Sequence, residues 1–285
     1  MGIVSYENIP EIREFQSYLK LSKSFWTTTK YVGAVRRFFR FIQKPPQDVT
    51  LEDIVKFLSR YQSPRSQYWY AYALRSFFEF IGRTELARRI PIARYTQKMP
   101  EILSEEEIYK GIRMLTDVKE KAIILTAYEC ALRIGEVPLL NRSDYIRGAK
   151  ELRVHRLKGR AGMVTDQILP ISDQLCQLLD EYLAKRDDDC EALFVCSYPP
   201  KRITVEMVRY IFKKFAKLIG KPHLTFHVLR HSRLTHLAVK GMDLLTLAEF
   251  AHHRNPQSTM VYIHLSSRIL RERLAKVEQE KYDTR

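Results

Sequence analysis

The chain has 285 residues, enough for two domains, and 45% of them are hydrophobic. Lys and Arg number 48 against 33 Asp and Glu, and the net charge of +15 favours a polyanionic partner, nucleic acid ahead of a membrane surface. Four scattered cysteines without ligand spacing, no long apolar run and no leader-like N-terminus argue against disulfides, structural zinc, a membrane span and export, so we expect a cytoplasmic, nucleoid-associated protein.

Residues 1–87 are predicted to form a helical domain. Apolar residues recur at helical spacing in four segments that are rich in aromatic residues and arginines. Thr50 and Asp53 have the spacing of an N-terminal cap for the third helix, and Ser66 is the predicted start of the fourth.

A basic, proline-containing linker is predicted over residues 88–103, and a second domain over residues 104–285. Ser104 and Glu107 have the spacing of a capping box at its first helix. An apolar run, "EKAIILTAYECALRIGEVPLL", predicts one long helix over residues 120–140.

Residues 151–171, "ELRVHRLKGRAGMVTDQILPI", are the one segment with strand-like alternation and a glycine-flanked turn, and they predict a β-hairpin. The remainder of the second domain is predicted to be helical. The fold class is therefore mainly α with a small β-sheet, in two domains.

Arg133 and Glu136 interrupt the predicted apolar helix. An unpaired guanidinium is costly among apolar side chains, and Glu136 is close enough along the chain to pair with it. The pair is either a structural ion pair or an arginine held in place to face a phosphate.

Two further segments carry basic groups. In "FHVLRHSRLTH", His227 and Arg230 are three residues apart and share a helix face, which is common for surface or capping groups. Lys158 lies near the turn of the predicted hairpin, where a lysine is either a solvated surface group or a proton donor brought to a bound duplex.

Taken in order, these segments resemble the tyrosine recombinase (integrase) family. Arg133 in "ALRIGEV", Lys158 in a hairpin, "HVLRH", then "HH" with Tyr262 nine residues after the second histidine match its pattern. "PEILSEEEI", "LLNRSDYI" and "STMVYIH" resemble further segments of the family. The resemblance is strong over the second domain and looser over the first. Among subfamilies, the chain resembles Xer-type chromosome dimer resolvases, those of archaea included.

The resemblance implies a C-shaped clamp around DNA, made of a SAM-like core-binding domain and a catalytic domain with a mixed α/β-hairpin structure. It implies that Tyr262 attacks a DNA phosphate and forms a 3′-phosphotyrosine. Arg133 and Arg230 would bind that phosphate, with His227 and His253 as further hydrogen-bonding groups and Lys158 as the general acid. Supporting roles would fall to Glu136, His231 and His252.

The chain departs from the family at His252, since the family usually has glycine before the histidine of this motif. Either His252 or His253 could face the phosphate, and the nine-residue spacing to Tyr262 favours His253. The chemistry needs neither a metal nor a cofactor, because two guanidiniums can stabilise the charge that develops on the phosphate. A nearby imidazole such as His227 could receive the phenol proton.

The DNA partner is expected to contact both domains, mostly through phosphates. By the same resemblance a homo-tetramer would act on two synapsed sites. The C-terminal helix, residues 268–280, carries Leu270, Leu274 and Val277 on one side, and it packs either on its own domain or on a neighbouring subunit. The candidate DNA contacts are Lys30, Arg36, Arg37, Arg40, Arg65, Arg75, Arg153, Arg156, Arg160, Lys201 and Arg202.

The sequence thus predicts a site-specific recombinase that cuts and rejoins DNA, with a role in chromosome dimer resolution and so in chromosome partition at cell division. The alternatives with the same chemistry are a DNA relaxer of the type IB topoisomerase kind and the integrase of a mobile element. The alternatives of another class are a non-catalytic DNA-binding protein and, less favoured, an RNA-binding protein.

Overall fold

The computed structural model describes residues 9–94, 99–158, 163–196, 199–253, 255–267 and 269–271, without the side chains of residues 157, 158, 163 and 164. Along the chain, its two compact units divide between Lys98 and Met99. Helices predominate over small antiparallel sheets, which confirms the predicted fold class. Within the ranges given above, no helix is both long and apolar enough to cross a membrane. The domain limits at 87, 88–103 and 104 stay a prediction.

The N-terminal unit is a bundle of helices. The predicted cap of the third helix is present, since the Thr50 hydroxyl and the Asp53 carboxylate each bond the other residue's backbone N–H. The fourth helix begins at Pro64 and not at Ser66, because proline is well suited to a first helical position. The described helices of this unit are α1 (Pro10–Ser22), α2 (Phe25–Ile42), α3 (Leu51–Leu58), α4 (Pro64–Phe80) and a short, unpredicted α5 (Thr84–Arg89).

Phenylalanine side chains fill the core of this unit. The ring of Phe38, on α2, lies 5.2 Å from the rings of Phe39 and Phe57, in edge-to-face contacts. Phe77 on α4 contacts Phe39 in the same geometry at 5.4 Å. Aromatic pairs of this kind add stabilisation beyond burial alone, so they fix how α2, α3 and α4 pack and leave the basic residues of α2 and α4 outside the core.

The first helix of the C-terminal unit begins at the predicted capping box of Ser104 and Glu107, which is confirmed. The two strands of the predicted hairpin are also present, and a short third strand pairs with the first of them to complete a three-stranded antiparallel sheet. The elements are α6 (Glu105–Met114), α7 (Val118–Glu129), β1 (Tyr145–Ile146), β2 (Glu151–Lys158), β3 (Met163–Pro170), α8 (Asp173–Ala184), β4 (Val195–Cys196), β5 (Lys201–Arg202), α9 (Val205–Leu218), α10 (His227–Val239), α11 (Leu244–Phe250) and a helical segment over residues 260–267.

The central helix of this unit, α7, ends earlier than predicted. It stops at Glu129, so the long helix over residues 120–140 is wrong. The N–H of Leu132 donates to the carbonyl of Ala127 (2.9 Å), that of Ala131 donates to the carbonyl of Tyr128 (3.1 Å), and Ala131 has φ +47°. This is a Schellman ending, which reverses the chain direction and places Arg133 beyond the helix.

Helix α11 ends in the same way. The N–H of His252 donates to the carbonyl of Glu249 (2.8 Å), and that of His253 to the carbonyl of Ala248 (2.9 Å). His252 therefore has the left-handed position, with φ +49°, that glycine usually occupies. Two helices of one unit thus end with carbonyl groups that lack partners inside the helix and can accept hydrogen bonds from side chains.

Candidate active site

Arg133 lies just beyond the end of α7 and is held by Glu136. Its Nη1 donates to Oε1 of Glu136 (2.9 Å), and its backbone N–H donates to Oε2 (2.8 Å). Its Nη2 reaches the carbonyl of His252 (3.4 Å). The Arg133 side chain keeps 31% exposure, so the guanidinium is fixed on one side and open to an incoming anion on another.

Glu136 is fully buried and is paired a second time, with Arg156 on β2. Nη1 of Arg156 donates to Oε2 of Glu136 (3.0 Å), and Nη2 donates to the carbonyls of Cys130 (2.9 Å) and Phe250 (3.2 Å). Burial raises the pKa of the Glu136 carboxyl, but the charge of Arg156 and the hydrogen bonds from Arg133 outweigh burial and leave the pKa below its usual value. Glu136 is therefore an anion that supports Arg133.

Arg156 is not a DNA contact. Its side chain has no exposed surface and is bonded to a carboxylate and to backbone carbonyls. The prediction of a phosphate contact for Arg156 is wrong, because a guanidinium enclosed in this way would have to leave its partners to meet a phosphate. Because side chains alternate between the two faces of a strand, Arg156 points into the protein. The residue type alone does not reveal which face of the strand a basic side chain occupies.

Arg230, on α10, is 3% exposed and is held by main-chain oxygens. Nη1 donates to the carbonyl of Ala131 (2.6 Å), and Nη2 donates to the carbonyl of Ala251. Both acceptors belong to the two helix endings described above. Among the described residues no carboxylate forms an ion pair with Arg230. Its pKa is lowered, mainly because the guanidinium is buried and secondly because the positive charge of Arg133 is near. The site therefore holds a cation that an anion would stabilise.

Residues 251–253 form the turn after α11 and present two histidines. The Nε2 of His252 lies 3.0 Å from the hydroxyl of Thr165 on β3. The Nδ1 of His253 lies 2.8 Å from the hydroxyl of Thr259, which is fully buried. The two imidazoles thus have different neighbours: one contacts the hairpin and the other contacts the segment that leads to Tyr262.

Tyr262 is in the same site and is 3% exposed. Its hydroxyl lies 2.9 Å from Nδ1 of His231, and its ring stacks on His253 with centroids 6.1 Å apart. Burial raises the pKa of the Tyr262 phenol, while the charges of Arg230 and Arg133 act in the opposite direction. The phenol is therefore close enough to both guanidiniums for their charges to affect its ionisation.

Three imidazoles of the site, those of His227, His231 and His253, have pKa values shifted downward, which favours their neutral forms near pH 7. Burial, followed by neighbouring charges, lowers the pKa of both His231 and His253 to about 4. The pKa of His227, at the start of α10, is lowered by lost hydration and then by the charges of Arg230 and Arg133. A neutral imidazole has one nitrogen free to accept, so His231 can accept a hydrogen bond from the phenol.

The structure thus brings together residues that are up to 129 positions apart in the chain. The sequence favoured His227 as the acceptor of the phenol proton, whereas the structure places His231 there. Lys158 ends β2, and its side chain lies outside the described part of the structure, as does the whole of Arg160. The assembled residues are Arg133, Glu136, His227, Arg230, His231, His252, His253 and Tyr262.

Sequence reasoning missed two threonines of the site, Thr165 and Thr259. A threonine in a strand or before a helix is common, so neither residue stands out by type. The one available signal is position, because Thr259 precedes Tyr262 by three residues and the two share a side of the chain as the helical turn begins.

Predicted DNA contacts of the N-terminal unit gather on the outer side of α2 and α4. Lys30, Arg37 and Arg65 line a cavity of about 510 Å³ together with the aromatic rings of Trp69 and Tyr70. Arg37 also lines a neighbouring cavity of about 440 Å³, with Arg40 and Arg60 among its walls. Cations interleaved with aromatic rings are typical of surfaces that bind nucleic acid.

Other predicted contacts are engaged within the protein. Arg75 donates to the carbonyls of Ala87 and Arg88, both at 3.1 Å, and Arg202 donates to the carbonyl of Pro138 at 2.7 Å. These two side chains hold backbone segments in place, so a DNA contact would require each guanidinium to bind a phosphate in addition to these carbonyls. Predicted contacts at the surface or partly exposed are Arg36, Arg153 and Lys201.

His155 on β2 lies between two carboxylates. Nε2 is 2.7 Å from Oδ2 of Asp144, and Nδ1 is 2.8 Å from Oδ1 of Asp166. Because a carboxylate accepts hydrogen bonds, both nitrogens carry protons and the imidazole is charged. Burial lowers the pKa of His155, but the bonds to Asp166 and Asp144 outweigh burial and raise the pKa above its usual value.

We expect the stability of the protein to depend on pH through His155. Below about pH 6.5, the usual pKa of the unfolded state, the wild type should exceed His155→Gln in free energy of unfolding by roughly 1–2 kcal/mol. That difference is lost as pH rises through the raised pKa of the folded state. Urea unfolding of both proteins between pH 5.5 and 9.5 measures it.

The control is His223→Gln, at an exposed histidine 2.9 Å from Glu101, since exposed pairs contribute little. A difference between the wild type and His155→Gln that stays constant over this pH range would show that His155 is not charged in the folded protein.

The sequence matches two family models. The model described as the phage integrase family covers residues 98–268, and the model described as the phage integrase N-terminal SAM-like domain covers residues 12–88. The first of these covers more than half of the chain and includes Arg133, Arg230 and Tyr262.

Relatives of known name resemble the chain over nearly its full length. The tyrosine recombinase XerA of Pyrococcus horikoshii is 30% identical over 94% of this chain and 93% of its own. A crystal structure of a XerA recombinase matches with a TM-score of 0.54 at 27% identity, over 94% of this chain and 98% of its own. A XerH recombinase bound to its difH substrate has the same fold, with a TM-score of 0.72 at 18% identity over 94% and 95% of the two chains. On the family match and the XerA relative together, this chain belongs to the phage integrase family.

Proposed function

We propose that this chain is a site-specific DNA recombinase that cuts and rejoins strands through a 3′-phosphotyrosine at Tyr262, and that it resolves chromosome dimers in the manner of Xer recombinases. The observation that carries the proposal is the shared location of the Tyr262 phenol, its partner His231 and the guanidiniums of Arg133 and Arg230. A tyrosine with its own proton acceptor therefore lies beside a site that can bind an anion.

The two arginines stabilise the reacting phosphate. Attack on a phosphodiester places additional negative charge on the non-bridging oxygens, and preplaced guanidiniums meet that charge without reorganising. Arg133 is oriented by Glu136, and Arg230 by the helix endings. His227 and His253 donate further hydrogen bonds to the same oxygens.

Cleavage transfers the phosphate from DNA to the enzyme. The Tyr262 oxygen attacks phosphorus, and the phenol proton passes to Nδ1 of His231, which is already 2.9 Å away. The bond from phosphorus to the 5′-oxygen breaks, and that oxygen takes a proton from Lys158. The products are a 3′-phosphotyrosine and a free 5′-hydroxyl, and the phosphodiester energy is retained.

Rejoining reverses these steps with a new strand. The 5′-hydroxyl of a partner duplex attacks the phosphotyrosine, releases Tyr262 and restores a phosphodiester. Exchange between two duplexes breaks four strands, and each chain has one Tyr262, so we propose that four copies act on two synapsed sites. The segment 268–280, most of which lies outside the described residues, would dock on a neighbouring copy.

The N-terminal unit supplies affinity for double-stranded DNA. Lys30, Arg37, Arg40 and Arg65 line or adjoin the two cavities on α2 and α4, and they would bind backbone phosphates. Limits of 1–87, 88–103 and 104–285 are proposed for the two domains and their linker, and the place of action is the nucleoid in the cytoplasm.

Strand exchange tests the function directly. Duplexes selected by the protein from random-sequence DNA provide a site, and two labelled copies of it, of different length, are mixed with the enzyme. Recombinant lengths support the proposal. Relaxation of supercoils without recombinant products would identify a topoisomerase-like enzyme, and binding without cleavage would identify a DNA-binding protein.

We expect His231→Ala to cleave DNA about a hundredfold more slowly or worse, because the phenol loses its proton acceptor. Added imidazole should restore part of the rate, since a small base can occupy the space left by the side chain. Single-turnover cleavage of a nicked duplex, with and without imidazole, measures both effects. If His227→Ala is rescued by imidazole and His231→Ala is not, His227 is the acceptor that the sequence first favoured.

A further inference from the structure

His252 occupies a backbone position that costs free energy for a side chain. It has φ +49° at the end of α11, where glycine would fit without strain. A non-glycine residue persists in this conformation when surrounding contacts hold it there, and His252, unlike Ala131 at the end of α7, has a side chain long enough to make such contacts itself.

The imidazole reaches across to the hairpin. Its Nε2 lies 3.0 Å from the hydroxyl of Thr165, on β3. Thr165 pairs directly with Arg156 of β2, which donates to the carbonyl of Phe250 at 3.2 Å. Gln167, two residues further along β3, donates to the carbonyl of Glu249 at 3.3 Å. Within the described residues, three contacts therefore attach the hairpin to the end of α11, and of these three the bond to His252 is the one that uses a side chain of that helix end.

The same turn also holds the phosphate-binding arginines. The carbonyl of Ala251 accepts from Arg230, and the carbonyl of His252 accepts from Arg133 at 3.4 Å. Lys158 follows Arg156 by two residues at the end of β2. His252 thus belongs to the turn whose carbonyls accept from Arg133 and Arg230, and its side chain contacts the strand pair that carries the proposed general acid.

We propose that His252 is a positioning residue: its bond to Thr165 sets the hairpin of β2 and β3 at a fixed place against the 251–253 turn, so that Lys158 meets the leaving 5′-oxygen of a phosphate bound by Arg133 and Arg230. This rests on the proposed function. It assigns His252 to proton delivery through the hairpin, and leaves contact with the phosphate to His253.

The test compares two leaving groups. His252→Gly and Thr165→Val each remove the bond, and Thr165→Ser keeps the hydroxyl as a matched control. Each protein cleaves a nicked duplex with the normal 5′-oxygen at the scissile phosphate, and the same duplex with 5′-sulfur, whose thiolate leaves without needing a proton. Both bond-removing variants should cleave the oxygen substrate about tenfold to a hundredfold more slowly, as expected for a displaced catalytic group. On the sulfur substrate they should match the wild type, and Thr165→Ser should recover most of the oxygen rate.

A merely structural role predicts a different pattern. Equal slowing on both substrates, or no slowing on either, overturns the proposal. The melting temperature of His252→Gly should stay within about 3 °C of wild type, because relief of the positive φ offsets the lost hydrogen bond. A slow variant with unchanged stability cannot be explained by unfolding.

Hydrogen exchange separates this proposal from the proposed function. If the wild type cleaves neither substrate, the proposed recombinase function is refuted. The role of the bond between His252 and Thr165 in holding the hairpin is then tested on the protein without DNA. Backbone amides of β3 should exchange faster in His252→Gly and Thr165→Val than in the wild type or Thr165→Ser. Unchanged exchange would show that the hairpin does not depend on His252.

Discussion

Tyr262→Phe should form no covalent complex with DNA. The substitution removes one oxygen, the proposed nucleophile, and leaves a ring that can still pack against His253 and the apolar residues around it. The lost hydrogen bond to His231 should lower the free energy of unfolding by about 1 kcal/mol, too little to unfold the protein. A duplex nicked beside the scissile phosphate releases a short strand after cleavage and traps the covalent product, which denaturing gels then detect.

Tyr128→Phe is the matched control. Tyr128 is also buried, and its hydroxyl lies 2.9 Å from the Nδ1 of a histidine, His236, and 3.3 Å from Glu105, so the control loses at least as much bonding as Tyr262→Phe. We expect Tyr128→Phe to keep covalent trapping at a rate near that of the wild type. Trapped DNA with Tyr262→Phe would mean that another residue is the nucleophile.

Arg156→Met should destabilise the protein by about 3–5 kcal/mol, the typical result of removing one partner of a buried ion pair. The substitution leaves Glu136 charged and fully buried with Arg133 alone, and it leaves the carbonyls of Cys130 and Phe250 without this donor. Urea unfolding at pH 7 measures the change. The prediction also implies lower activity, because Glu136 orients Arg133.

Two measurements show whether Arg156 serves the fold or the DNA. Arg153→Met, on the same strand, should change stability by no more than about 0.5 kcal/mol, as is usual for a partly exposed side chain. At a temperature where Arg156→Met is folded, it should leave the slope of log affinity against log salt unchanged. Arg37→Ala should make that slope shallower by about one. A reduced slope for Arg156→Met would restore it as a phosphate contact.

Features set by neighbouring residues could be predicted from the sequence. The caps at Thr50 and Ser104 and the hairpin of β2 and β3 depend on spacing within a few residues, and all are present. The family pattern also identified residues that the fold gathers, including Arg133, Arg230 and Tyr262, because their order and spacing are distinctive even though no single motif is.

Features set by distant contacts could not be predicted in this way. The residues around Glu129 do not predict that α7 ends there. Ala131 is an ordinary helix former, and it takes a left-handed conformation only where tertiary packing imposes it. Charge alone made Arg156 look like a DNA contact, whereas its partner, Glu136, lies 20 residues away. The choice of His231 over His227 beside the phenol depends on how α10 faces the segment after Pro256, which spacing does not reveal.

The anchoring of Arg230 has an evolutionary corollary. Its guanidinium is located by the main-chain oxygens of residues 131 and 251, so the side chains there do not hold the cation; they are constrained instead by full burial and, at Ala131, by a left-handed φ of +47°. Helix length is a strong constraint, because inserting or deleting one residue in α7 or α11 would rotate the terminal carbonyl by about 100°. Homologous chains should accordingly keep small residues at these two positions and show almost no gaps within either helix.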